Sequence, residues 1–185
     1  MTSPGEALLH IRELAKAKDI DGLIAELDNP LEDEIITPRG RAADHLGKLR
    51  AEEAVEPLIR MLQTDPNEHA RTHAVRALGQ IGTPNVLPAL RTALQDPALA
   101  VRGWAALNLG TLRDNAAVPA LIQRLTDSEP VMRRSAGKAL LKIGDPAAIK
   151  PLNAMARGEG FFRRLQIQFG ARRLRDRPTE RNLES

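Results

Sequence analysis

Residues 70–99 (ARTHAVRALGQIGTPNVLPALRTALQDPAL), 100–130 (AVRGWAALNLGTLRDNAAVPALIQRLTDSEP) and 131–160 (VMRRSAGKALLKIGDPAAIKPLNAMARGEG) repeat one pattern at a register of 31 residues. The fixed columns are Arg71, Arg102 and Arg133; Leu78, Leu109 and Leu140; Ile81, Leu112 and Ile143; Leu90, Leu121 and Leu152. An earlier copy matches through Arg39, Leu46, Leu49, Val55 and Leu58, with one inserted residue. A unit this short cannot bury an apolar face alone, so stacked neighbours must complete its core. The repeat therefore restricts the chain to a row of similar units.

Each unit reads as two helices. In the first half Val101, Ala105, Leu109 and Leu112 advance by helical steps and share one face. In the second half Val118, Leu121, Ile122 and Leu125 do the same, after Thr83-Pro84 or Asp145-Pro146 as a start signal. Pro88 and Pro119 are tolerable only in a first turn, so regular helix should begin beside them. Asp65-Pro66-Asn67-Glu68 and Ser3-Pro4-Gly5-Glu6 read as further helix starts. With Ala and Leu dominant, three Phe, one Trp and no Tyr, the composition favours packed helices over sheet. The expectation is an all-α, right-handed α-α superhelix of about five hairpins in a single domain, residues 1–175. Residues 1–37 form a degenerate capping repeat, 38–160 four repeats, 161–175 a capping helix and 176–185 a flexible tail.

The chain has no cysteine, which excludes disulfides, thiolate nucleophiles and Cys-ligated metals. No signal peptide or long apolar run is legible, and a cytoplasmic location is expected. No cofactor or metal signature stands out. Charge is uneven: residues 1–37 hold nine acidic against three basic residues, and residues 157–185 hold eight Arg against four acidic residues.

The 31-residue helix pair has Asp six residues before Arg (Asp65/Arg71, Asp96/Arg102, Asp127/Arg133), then A-x-x-L-G or a variant, then V-P-A-L. This pattern resembles the HEAT-like repeat of the phycobilisome-lyase type. The resemblance implies a HEAT-like solenoid with A helices outside and B helices lining a concave face. The family includes bilin-lyase subunits, scaffolds and adaptors, and a branch of iron-binding hydroxylases built on paired His-Glu dipeptides. No His-Glu dipeptide occurs here, and Glu68-His69 has the reverse order.

The Asp/Arg pairs recur once per unit, as a structural ladder requires; Asp is expected to cap helix A, with Arg reaching that cap or the next unit's Asp. His69 and His73 have chelating spacing but no third ligand, and read as surface. Projection of helix B puts Glu56, Arg60, Gln63, Pro88, Thr92, Gln95, Gln123, Lys150 and Arg157 on the groove, a mixed polar floor suited to a protein or peptide. Trp104 projects outward, in a column with His73 and Ser135; packing against the neighbouring A helix is the plainer reading, and a partner-binding patch the alternative. Arg163, Arg164, Arg172 and Arg173 make the C-terminal end basic. The expected function is a non-enzymatic scaffold or adaptor that binds a protein through the groove, the basic end or both. The alternatives are non-specific nucleic-acid binding by the C-terminal arginines and a bilin lyase-type subunit.

Overall fold

The computed structural model describes residues 3–31 and 37–158. Among them the chain is helical throughout, in five successive hairpins. The first helices of the hairpins are α1 (Pro4–Ala17), α3 (Pro38–Leu49), α5 (Glu68–Ile81), α7 (Leu99–Thr111) and α9 (Pro130–Ile143). The second helices are α2 (Ile20–Ala25), α4 (Val55–Thr64), α6 (Leu87–Ala93), α8 (Val118–Gln123) and α10 (Ile149–Gly158). The chain divides into two compact units between Asn108 and Leu109, inside α7. The capping helix and tail expected over 161–185 lie outside the described residues.

Leucines of the repeat columns form the core. In the first unit Leu46, Leu58, Leu78 and Leu90 are fully buried; in the second, Leu109, Leu121, Leu140 and Leu152 are. The turn inside each hairpin needs a left-handed residue to end the first helix, supplied by Gly82 and Gly144 and, less comfortably, by Lys18, Arg50 and Arg113. Four of the second helices are led in by a 3-10 turn (Glu52–Ala54, Pro84–Val86, Asn115–Ala117, Pro146–Ala148). Pro88 and Pro119 follow in the first turns of α6 and α8, where their missing N–H groups cost no helical bond. At the N-terminus Ser3 and Glu6 form a reciprocal capping box.

Glycine sets the spacing between first helices. A Cβ on Gly47 would sit 2.7 Å from the Ala77 Cα, so α3 and α5 touch backbone to backbone there. In the second unit Gly110 meets Ala139 the same way, at 2.5 Å. At Gly79 the space goes to Asn108, whose amide donates to the Val75 carbonyl at 2.7 Å.

The Asp/Arg ladder corrects one expectation. Asp65 does not cap α5: the cap is Asn67, whose side chain accepts from the His69 N–H. Asp65 instead accepts from the Asn67 N–H at 2.9 Å, and Asp96 and Asp127 do likewise two residues on, at Ala98 and Glu129. The residue between is proline after Asp65 and Asp96 and serine after Asp127, and in all three the Asp side chain closes its own turn before the helix starts. Arg71, Arg102 and Arg133 donate to the carbonyls of Asp65, Asp96 and Asp127 in their own repeats. In the first unit the carboxylates take the arginine of the preceding repeat: Arg39 to Asp65 (2.9 and 3.3 Å) and Arg71 to Asp96 (2.9 and 3.0 Å). The Asp96 hydrogen bonds raise the Arg71 pKa above its ordinary value, although burial acts the other way. Arg39 belongs to this ladder and also holds the Asn29 carbonyl.

Candidate functional site

The second helices carry the groove residues expected from projection, and all are exposed. In the first unit these are Glu56, Arg60 and Gln63 on α4, Pro88 and Thr92 on α6, and Gln95 just beyond it. In the second unit they are Gln123 on α8 and Lys150 and Arg157 on α10. Arg163, Arg164, Arg172 and Arg173 lie outside the described residues.

Within the first unit α2 and α4 leave a cleft of about 310 Å³. Ile24, Leu27, Pro57 and Met61 give it an apolar surface; Asp28, Arg60 and Thr64 supply polar groups. The Arg39–Asp65 ion pair lines it too, with side chains only 11% and 7% exposed. A buried pair of this kind is a rigid wall, because moving either charge would leave the other unpaired. Arg60 was expected here. Asp28 was not, although GLIAELDNP aligned with PLIRMLQTDP sets it in the Gln63 column; the degenerate first unit hid it.

A second cluster lies on the first helices of the same unit. His73 Nδ1 is 2.9 Å from an Asp44 carboxylate oxygen, and Arg76 reaches that oxygen at 3.8 Å. The Arg76 guanidinium also stands 5.2 Å from the centre of the Trp104 ring, a cation–π contact. Trp104 thus packs against the neighbouring first helix, the plainer of its two readings, while staying 40% exposed. Burial alone would raise the Asp44 carboxyl, but the His73 hydrogen bond and the charges of His73, Arg76 and Lys48 bring it below its ordinary value. His45 is lowered by burial and by the Lys48 and Arg41 charges, against the opposing pull of Asp44. These mutual effects place Arg41, His45, Lys48, Asp44, His73 and Arg76 in one electrostatic neighbourhood. His73 is therefore engaged by a carboxylate, and His69, four residues before it, is exposed. No group of three or more metal-ligating side chains occurs among the described residues. Nor is any helix among them long and apolar enough to cross a membrane.

Comparison with known proteins agrees with this architecture. A family model described as HEAT repeats matches residues 20–107 and 92–168. No curated protein matches the chain. Among solved structures, an engineered protein aligns over 89% of this chain and 81% of its own, with 19% identity and a TM-score of 0.59. Human deoxyhypusine hydroxylase in complex with glycerol aligns over 94% of this chain and 79% of its own, with 19% identity and a TM-score of 0.55. The CpcE–CpcF complex of phycocyanin lyase from Nostoc sp. aligns over 94% and 95%, with 19% identity and a TM-score of 0.40. The first two likenesses are likenesses of fold. With the HEAT-repeat model matched across most of its length and the helix hairpins in register, the chain belongs to the HEAT-repeat family.

Proposed function

We propose that the chain is a non-enzymatic interaction module that holds a segment of another protein on its second helices, centred in the first unit on the cleft between α2 and α4. The observation that carries this reading is the cleft itself, with its apolar surface, rigid Arg39–Asp65 wall and exposed Arg60 and Asp28. Apolar area gives a bound segment its affinity, and two opposite rim charges fix its direction. Three polar side chains of the cleft are engaged in structure rather than poised for chemistry: Arg39 and Asp65 hold each other, and the Thr64 hydroxyl donates to the Arg60 carbonyl at 2.9 Å. Membership of a helical-repeat family whose units present extended surfaces supports the same reading.

The test is a selection of random displayed peptides on the full-length chain, followed by affinities for the charge-reversed double variant Asp28→Arg/Arg60→Glu. Selected peptides should bind the variant at least about tenfold more weakly, because a like charge now meets each rim contact. Peptides that bind both proteins equally would place the site elsewhere. Turnover of any substrate, abolished by a change in the cleft, would replace the reading with an enzymatic one.

A further inference from the structure

The first helices of the first unit are not merely the back of the stack. Arg41 and Lys48 are exposed on α3, Arg76 stands on α5, and the carboxylate found among them in the described residues, Asp44, is already engaged by His73 and Arg76. The local field is therefore positive, although residues 1–108 as a whole carry 16 acidic against 12 basic residues. At the edge of this positive patch stands Trp104, 40% exposed, beside the guanidinium of Arg76. Asp44 restrains that guanidinium, so the ring and its cation are pre-arranged before anything binds.

We propose that this surface binds single-stranded nucleic acid, with phosphates on Arg41, Lys48 and Arg76 and one base stacked against Trp104. Two features favour this partner over an acidic protein segment. The cations recur along the face of α3 at Arg41 and Lys48 and continue onto α5 at Arg76, as a charged backbone crossing two helices requires. A flat aromatic surface restrained next to a cation is also a stacking platform for any base, whereas carboxylate side chains have no use for one. The surface is separate from the cleft between α2 and α4, and its test does not depend on that site.

Trp104 is the chain's one tryptophan, and there is no tyrosine, so intrinsic emission reports this position alone. The experiment titrates the full chain with an oligothymidylate of about a dozen nucleotides, following Trp104 emission and the anisotropy of a labelled oligonucleotide over about 50 to 200 mM salt. Expected are quenching of Trp104, weaker binding as salt rises, and a loss of at least about tenfold in Trp104→Ala. The double variant Arg41→Ala/Lys48→Ala changes two exposed side chains, should melt as the native chain does, and should flatten the log–log salt slope by about 0.7 per cation removed. Absence of binding at the lowest salt overturns the proposal. So does binding that leaves Trp104 emission unchanged, which would place the contact elsewhere, for example on the C-terminal arginines. A third overturning result is poly-L-glutamate quenching Trp104 and displacing the oligonucleotide at equal charge concentration, which would make the partner an acidic protein.

Discussion

Arg71 divides its donors between two repeats. Nη1 holds the carbonyls of Asp65 and Pro66 in its own unit, while Nε and Nη2 grip the Asp96 carboxylate of the next. The two side chains are 11% and 9% exposed, so neither charge regains much water if its partner is removed. Arg71→Met should therefore cost about 3 kcal/mol in urea unfolding. The double variant Arg71→Met/Asp96→Asn should recover part of that loss; full additivity of the two single changes would show that the pair is not coupled. Asp44 gives a pH-dependent counterpart. Its carboxyl is held below the ordinary value of 3.8, so the unfolded chain binds the proton more readily. The stability it contributes is complete above that value and is lost as pH falls through the lower, folded one. Asp44→Asn should remove this part of the acid sensitivity below the ordinary carboxylate value; an unchanged acid limb would contradict the assignment.

Between elements, the close approach of first helices decides the geometry, and the glycines test it. Gly47→Ala drives a methyl group into the Ala77 backbone and should destabilise by about 1–3 kcal/mol. Gly5→Ala, on α1 with only the Ser3 Oγ of the described residues within 4 Å, at 3.9 Å, should instead stabilise by about 0.5–1 kcal/mol. Thermal melts of the two variants should move in opposite directions; a shared direction would mean that helix propensity, not contact, governs the glycine column. The leucine columns and the positions of Pro88 and Pro119 made the hairpins legible in the sequence, because apolar periodicity and a missing N–H act locally. The helix starts were less so. Asp-Pro-Asn offers two capping side chains within three residues, and only the folded turn shows that Asp65 closes the loop while Asn67 caps the helix. The exposed columns of the second helices also followed from projection. The cleft did not, because its Asp28 comes from a unit whose repeat has decayed, and neither did the tie from Asp44 through Arg76 to Trp104, which joins three helices and leaves no trace in a one-dimensional period.

Over the whole molecule, charge follows the sequence order. Residues 1–108 carry 12 basic and 16 acidic residues, whereas residues 109–185 carry 15 basic and 8 acidic, so one half is net negative and the other net positive. A chain with opposite charge on its two halves attracts a second copy head to tail, and a head-to-tail contact need not close on itself. The attraction has a range set by salt: charges interact over about 30 Å at 0.01 M but only about 10 Å at 0.1 M. Light scattering should therefore give a mass near the 20.2 kDa monomer at high salt and a rising, concentration-dependent mass at low salt. Reversing Glu13 and Asp21, which are exposed on α1 and α2, to Lys should reduce the rise without altering the helical content. Nucleic acid bound to the first helices would compete with association only if the two surfaces overlap, so adding the oligonucleotide at low salt separates one from the other. A monomeric mass at low salt would show instead that the segregated charge serves other partners and not a second copy of the chain.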